Sequence, residues 1–144
     1  MAEQATQRMN IRATPAECFA VVTDFEHYPE WAADIKQVSV LERDDEDRAT
    51  KVAFRVAAFG RSTSLVLVYD YTDAPSRLSW TQEHGDLTSR YEGQYTFETS
   101  GEDTEVIYHL YVELRVPLPG FIKRRAEGRI MGTALRELKS RVEA

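Results

Sequence analysis

Side chains that could act as a general acid or base are spread along the sequence rather than gathered in one motif. Acid–base catalysis needs such a group within hydrogen-bond reach of a substrate. Strand alternation puts Glu92 and Arg90 on the face opposite Tyr91, so we expect both to face solvent. The remaining candidates are Arg55 and Glu83 on strands and Asp24, His27, Glu30 and Asp34 near the first helix. No arrangement of these residues in the sequence indicates a particular reaction.

Metal, nucleotide and cofactor sites are not predicted. The histidines, His27, His84 and His109, lie in separate segments without the spacing of metal ligands. The lone Cys18 is expected to be a small core residue, and a single cysteine excludes an intrachain disulfide, which favours a reducing compartment. No phosphate-binding loop, dinucleotide fingerprint, nucleophile elbow or zinc-protease motif occurs. We therefore predict no metal and no cofactor.

Composition indicates one folded domain, residues 1–144. Of the 144 residues, 42% are hydrophobic and 29% charged, which is typical of a globular chain. The formal net charge of −6 argues against a nucleic-acid partner. No apolar run is long enough for a signal peptide or a membrane span, so we expect a soluble cytoplasmic protein without stable membrane insertion. The oligomeric state is left open.

The elements near the N-terminus are predicted to be a strand and two short helices. Residues 4–11 have strand character, and "ATPAEC" begins a helix with Thr14 as N-cap, Pro15 in the first turn and Glu17 completing a capping box. Pro29 favours an extended Tyr28, so this helix is expected to be short. A second helical turn is predicted over residues 29–33.

Hydrophobic residues then alternate with period two through six strands, and a helix follows. "DDED", Gly60, Gly85 and "SGED" separate strands, and turns this short make neighbouring strands antiparallel. After "PLPG" the period returns to about 3.6 over residues 121–142, with Met131, Leu135 and Leu138 on one stripe. The sequence predicts an α+β fold: a curved antiparallel sheet of about seven strands around a long C-terminal helix, with two short helices after strand 1.

Residues after the first helix carry a family resemblance. "TPAECFAVVTDFEHYPEWAADIKQVSVLE" resembles the polyketide cyclase/dehydrase and lipid-transport group of the START-like (SRPBCC, helix-grip) superfamily, whose pattern is matched by Asp24, Tyr28, Pro29 and Trp31. The similarity continues through "RLSWTQEHGDLTSRYEGQYTFE" and the C-terminal helix. It implies a deep apolar cavity between sheet and helix, with Tyr28 and Trp31 at its rim.

The inward faces of the predicted strands support a hollow interior. Several aromatic residues there have polar tips, Gly93 lacks a side chain in mid-strand, and Gly128 and Gly132 thin one face of the long helix. With the rim, these observations predict a set of ligand-binding residues: Tyr28, Trp31, Phe54, Val56, Trp80, Tyr91, Gly93, Tyr95, Tyr108, Leu110, Arg124, Gly128 and Met131.

Each part of this set has a plainer alternative. Trp31 and Tyr28 would equally seal the end of a solid core. The helix glycines would equally let the helix approach the sheet. Arg124 either reaches the cavity mouth and pairs with an anionic ligand, or stays solvated if the register of Ile122, Ala126 and Ile130 faces inward. The cluster "KRRAEGR" (Lys123 to Arg129) also suits a transient contact with an acidic membrane surface or with an acidic partner.

Three functions therefore stay open. The first is a carrier or binding protein for a lipid, isoprenoid or polyketide-like molecule. The second is an aromatase/cyclase acting on a polyketide-type substrate in the same cavity. The third is a non-enzymatic interaction module whose interior is filled by its own side chains, with no void beyond a few waters.

Overall fold

A computed structural model describes residues 5–58, 60–116 and 118–144 of the chain. Gln4, at the start of the predicted first strand, and Phe59 and Pro117 lie outside the described residues. The elements run in the order β1 (Ala5–Ile11), α1 (Pro15–Val22), a 3₁₀ helix (Phe25–Glu30), β2 (Ile35–Arg43), β3 (Ala49–Ala58), β4 (Arg61–Asp70), β5 (Arg77–Gly85), β6 (Thr88–Ser100), β7 (Asp103–Leu114) and α2 (Gly120–Glu143).

The seven strands form one antiparallel sheet in the order β1-β7-β6-β5-β4-β3-β2. Strands β2 to β7 are joined to their chain neighbours by short turns, which forces antiparallel pairing. Gly60 and Gly101 have positive φ angles of 75° and 64° at two of these turns, a conformation that glycine adopts without a steric penalty. β1 and β2 are the two edge strands of the sheet, and the segment that contains α1 and the 3₁₀ helix connects them.

The predicted capping box at the start of α1 is confirmed. The Oγ1 atom of Thr14 accepts a hydrogen bond from the Glu17 N–H at 3.2 Å, and the Glu17 carboxylate accepts one from the Thr14 N–H at 3.1 Å. These reciprocal bonds satisfy N–H groups that the first helical turn leaves free. They also hold the pKa of Glu17 below its usual value.

The second helix differs from the prediction. It is a 3₁₀ helix over Phe25–Glu30, earlier than the predicted turn at 29–33, and Tyr28 lies within it rather than in an extended conformation. The Tyr28 side chain is buried and its hydroxyl donates to the Val22 carbonyl. Tertiary burial of this ring therefore overrides the local preference that Pro29 imposes.

Helix α2 packs on one side of the sheet, against β1, β7 and α1. Met131, Leu135 and Leu138 form a fully buried stripe on this side, as the sequence period predicts. With 24 residues, α2 is long enough to cross the whole sheet. Strands β3 to β5 belong to the other half of the sheet, so a space remains between them and the helix.

The predicted α+β, helix-grip architecture is confirmed, including the seven strands and the long terminal helix. No helix among the described residues combines the length and apolar character that crossing a bilayer requires.

Candidate ligand cavity

A cavity of about 830 Å³ lies between the inner face of the sheet and α2. Side chains from β3, β4, β5, β6 and β7 form its floor, α2 forms its roof, and the segment from Tyr28 to Ile35 closes one side. Pockets that hold small molecules in proteins usually measure about 300–1,000 Å³, so this space is of the size that ligands occupy.

The floor is mainly aromatic because strand alternation brings large rings to the inner face. Trp80 on β5 lies at its centre, with ring centroids 5.8 Å from Tyr69, 5.3 Å from Tyr95 and 5.7 Å from Tyr108. Tyr95 and Tyr108 also meet edge to face, at 4.6 Å. Contacts of this kind stabilise ring positions beyond the burial of area alone. The floor is therefore a rigid apolar surface with phenol groups set into it.

Gly93 lies directly beneath Trp80. A Cβ atom at Gly93 would lie 2.3 Å from Cζ2 of the indole, far inside van der Waals contact. The two residues are paired across β5 and β6, so the indole covers the bare backbone of its neighbour. The Nε1 atom of Trp80 is buried and, among the described residues, has no hydrogen-bond partner. Glycine at position 93 is therefore required for the indole to lie flat against the β6 backbone. In this position the ring leaves the cavity above it open.

The roof comes from a helical face next to the buried stripe. Lys123, Ala126, Ile130, Ala134 and Glu137 line the cavity at spacings of three and four residues, which places them on one face of α2. Two of the five are alanines, and a methyl group opposite the aromatic floor leaves the gap unfilled. The two alanines therefore leave room between the roof and the aromatic floor.

The 3₁₀ helix and the residues after it close the side of the cavity as a lid. Tyr28 and Trp31 line the cavity, with ring centroids 4.9 Å apart, and Phe25 packs behind Tyr28 at 5.3 Å. The N–H group of Ala33 donates to the Glu137 carboxylate at 3.1 Å, which ties the lid to α2. Trp31 is only half-buried, so one edge of its ring reaches solvent.

A buried carboxylate, that of Glu127, lines the cavity. Glu127 on α2 is 3% exposed, and its Oε2 atom accepts a hydrogen bond from the Val112 N–H at 3.0 Å. The described pairing of β1 with β7 begins at Ala5, which lies opposite Leu110. Val112 is two residues further along β7 and therefore has no described partner residue on β1. The carboxylate thus supplies the acceptor for a buried backbone N–H of β7.

The phenol groups of the cavity are neutral hydrogen-bonding groups rather than bases. Burial, the largest cause in each case, raises the pKa of five lining tyrosines above the ordinary value of about 10: Tyr28, Tyr69, Tyr91, Tyr95 and Tyr108. At neutral pH such a phenol can donate or accept a hydrogen bond to the polar part of a guest, except that the Tyr28 hydroxyl already donates to the Val22 carbonyl.

The mouth of the cavity is polar. The exposed lining residues are Asp34 after the lid, Ala57 with Gly60, Arg61 and Ser62 at the β3–β4 hairpin, and Arg129 on α2. Leu87 and Thr88 at the β5–β6 turn and Leu114 at the end of β7 frame the neighbouring wall. A guest with a polar end would keep that end in water here while its apolar body meets the floor.

Eight of the thirteen residues predicted to bind a ligand lie in the cavity wall: Tyr28, Trp31, Phe54, Val56, Trp80, Tyr91, Tyr95 and Tyr108. Their contact with a ligand remains a prediction. Five others, Gly93, Leu110, Arg124, Gly128 and Met131, are not part of the lining.

The five have different physical reasons for lying outside the wall. Gly93 is covered by Trp80. Leu110 and Met131 are buried in the packed side of the core, at 0% and 1% exposure. Gly128 faces β1, where its carbonyl accepts a hydrogen bond from the Gln7 side chain at 2.9 Å. Arg124 is exposed and lies over Gly120. Of the competing register, Ala126 and Ile130 line the cavity, but Ile122 is 37% exposed and lies outside the lining.

Sequence reasoning missed the contribution of β4. Thr63, Leu65, Leu67 and Tyr69 are buried in alternation and line the cavity. The segment "STSLVLVYDYT" is apolar on both faces, so its alternation did not identify the inner one. Among the described residues, no group of three His, Cys, Asp or Glu side chains could hold a metal ion.

Comparison with known proteins now adds to this geometry. Residues 2–143 match the sequence profile of the family described as polyketide cyclase / dehydrase and lipid transport. The chain belongs to this family. A search of curated protein sequences finds no significant match. The family lies in the START-like superfamily, as the resemblance at Asp24 to Trp31 indicated.

Solved structures share the fold. A START superfamily protein from Mycobacterium smegmatis is 23% identical, with a TM-score of 0.92 and 97% of each chain covered. A protein from Thermus thermophilus is also 23% identical, with a TM-score of 0.79 and 97% of each chain covered. The Zhui aromatase/cyclase from a Streptomyces species is 15% identical, with a TM-score of 0.83, covering 99% of this chain and 94% of the other. At these identities the likeness concerns the fold.

Proposed function

We propose that this protein binds one hydrophobic or amphipathic small molecule in the cavity, as a carrier or binding protein. The observation that carries the proposal is a space of about 830 Å³ with an aromatic floor and a roof in which Ala126 and Ala134 leave room between longer side chains. A lipid, an isoprenoid or a polyketide-like compound has the chemistry that this lining favours. Membership of the cyclase and lipid-transport family supports the same class of ligand.

Burial of the guest provides the binding energy. Each methylene group removed from water contributes about 0.8 kcal/mol, so a chain of about ten methylenes gives about 8 kcal/mol before the costs of association. The aromatic floor is already packed by ring–ring contacts, so little side-chain ordering accompanies binding. No catalytic residue is needed for such an affinity.

The polar mouth favours an amphipathic guest over a purely apolar one. Arg61 and Arg129 are exposed cations beside the mouth, and Asp34 is an exposed anion. A polar head group placed among them keeps its hydration or exchanges it for hydrogen bonds. The tail would then lie between Trp80 and Ala134.

An interaction module with a filled interior is not supported. That hypothesis requires a void able to hold no more than a few waters, and a water needs only about 30 Å³. The cavity is far larger than this requirement.

An aromatase/cyclase remains the second candidate because one buried carboxylate lines the cavity. Glu127 could accept or donate a proton, but one of its oxygens already holds the Val112 N–H. A cyclase would therefore use the other oxygen, Oε1, together with the neutral phenols. Turnover of a model polyketone, lost in Glu127→Gln while ligand affinity is kept, would favour this candidate over a carrier.

The proposed function is tested by filling the cavity from its roof. Ala134→Trp puts an indole into the cavity from its roof, and we expect uptake of a fluorescent fatty-acid probe to fall at least tenfold. Arg125→Trp is the matched control, because Arg125 is on the same helix, exposed and outside the lining.

Fluorescence titration measures both variants against the unmodified protein. Equal probe affinity in all three proteins, with circular dichroism showing Ala134→Trp to be folded, would contradict binding in this cavity.

A further inference from the structure

Large apolar side chains are exposed where β7 leads into α2. Val116 is 63% exposed and Phe121 59%, while Leu118 and Ile122 are each 37% exposed. Of the five large hydrophobic residues this exposed in the described part of the chain, four lie in this short stretch. Single exposed hydrophobic residues are ordinary, but a cluster of four marks a surface that contacts something apolar.

The same stretch is basic within an acidic protein. Residues 115–129 contain five basic residues and one acidic residue, in a chain of formal net charge −6. The acidic one, Glu127, is buried, so it does little to offset the surface charge. Arg124, Arg125 and Arg129 are exposed, whereas the ion pairs found among the described residues join other side chains, such as Arg8 with Glu105 and Arg141 with Glu30.

This surface adjoins the cavity mouth. Leu114, Lys123 and Arg129 line the cavity while belonging to the same stretch of chain or its flanks. The Arg115 guanidinium donates two hydrogen bonds to the Gly85 carbonyl, at 3.2 and 2.9 Å, which holds the connection against the β5–β6 turn. A partner that contacts the exposed hydrophobic residues therefore also lies close to the cavity mouth.

We propose that this docking surface, formed by Val116, Leu118, Phe121, Ile122, Arg124, Arg125 and Arg129, binds the surface of an anionic lipid bilayer. Apolar side chains enter the boundary between head groups and acyl chains, and the arginines stay at the level of the phosphates. The uncapped start of α2 adds a positive dipole end on the same side.

Charge determines both the occupant and its orientation. A neutral bilayer would gain nothing from the arginines, and the excess of acidic groups elsewhere on the chain is repelled by anionic lipid, so only this face approaches. Docking here would bring the mouth to the bilayer. A guest would then pass between membrane and cavity with little exposure to water, a consequence that rests on the proposed function.

Vesicle co-sedimentation tests the docking surface. The probes are phosphatidylcholine vesicles with and without phosphatidylserine. We expect the full chain to bind the anionic vesicles and not the neutral ones. In the double variant Arg124→Gln/Arg125→Gln the partition coefficient should fall about 25-fold, because each basic residue near an anionic surface contributes about fivefold. Phe121→Ser should lower it about tenfold.

The matched control is Arg8→Gln/Arg141→Gln, which removes the same net charge at positions outside the docking surface. It should bind within twofold of the unmodified protein. Failure of the unmodified chain to bind anionic vesicles, or an equal loss in the control, would overturn the proposal.

Uptake of the fluorescent fatty-acid probe without vesicles separates this proposal from the proposed function. The variant Arg124→Gln/Arg125→Gln should take up the probe as well as the unmodified protein does, since neither residue lines the cavity.

Discussion

The Gly93–Trp80 pair shows how one missing side chain keeps the cavity open. The indole lies on the backbone of Gly93 with its Nε1 atom buried, and its ring contacts three tyrosines. A side chain at position 93 would lift the indole into the space that a guest is proposed to occupy. A glycine in mid-strand indicates either a bulge or a close approach to a ligand, whereas the group that approaches Gly93 is a residue of the protein itself.

Gly93→Ala should therefore destabilise the protein and reduce binding together. The new methyl group overlaps the indole at 2.3 Å, and overpacking of this kind costs about 1–3 kcal/mol in the free energy of unfolding. Urea unfolding followed by tryptophan fluorescence measures the loss.

Gly128→Ala is the matched control for this substitution. Its Cβ would lie 3.6 Å from Gln7 Nε2, an ordinary contact, and alanine is favoured over glycine inside a helix by about 1 kcal/mol. We expect it to be neutral or stabilising. If Gly93→Ala were as stable as Gly128→Ala, the proposed packing of Trp80 would be incorrect.

At the level of elements, the lid and α2 determine where the cavity ends. The lid contributes Tyr28 and Trp31 to the wall, and the Ala33–Glu137 hydrogen bond fixes it to the helix. Phe25, in the same 3₁₀ helix, is 2% exposed and is not part of the lining. The lid thus has a ligand-facing side and a core-facing side.

Substitutions on the two sides should separate binding from stability. Trp31→Ala should weaken binding of an apolar probe about tenfold while lowering the free energy of unfolding by only about 1 kcal/mol, because the ring is half-buried. Phe25→Ala should cost about 3–5 kcal/mol, as for a fully buried aromatic residue. Thermal unfolding and probe titration of both variants would distinguish them. A larger stability loss in Trp31→Ala than in Phe25→Ala would make Trp31 a core residue.

Local periodicity predicted the strand side of the site better than the helix side. Alternation identified Phe54, Trp80 and Tyr95 as inward-facing, because the side-chain direction in a strand follows from parity alone. On α2, two apolar stripes are present, and which one faces the cavity depends on how the helix lies over β1 and β7. That placement is tertiary, so Met131 was assigned to the wall and Ala134 was missed.

For the whole molecule, the buried phenols couple stability to alkaline pH. Burial raises the pKa of all seven tyrosines, and for Tyr71 the value reaches about 12. The seven are Tyr28, Tyr69, Tyr71, Tyr91, Tyr95, Tyr108 and Tyr111. In the unfolded chain these groups lose protons near pH 10. The folded state therefore holds protons that the unfolded state has lost.

The contribution of these phenols to the free energy of unfolding should consequently be fully present below about pH 10 and be lost as the pH rises above it. Urea unfolding over an alkaline pH series measures the fall, and phenolate absorbance of the native protein follows ionisation directly. We expect less phenolate absorbance in the native protein at about pH 10 than in the unfolded chain at the same pH, while the circular dichroism remains native. Half-ionised tyrosine in the native protein at that pH would contradict the burial of these rings.

The central claim, that the space between sheet and α2 holds an apolar guest, is tested most directly by native mass spectrometry. The purified chain would be stripped of bound molecules and incubated with a fatty acid, an isoprenoid alcohol and an aromatic polyketide. We predict a complex with one guest per protein for at least one compound, and none in Ala134→Trp. Only the bare mass of the unmodified chain with every compound, or equal complexes in Ala134→Trp, would contradict the claim.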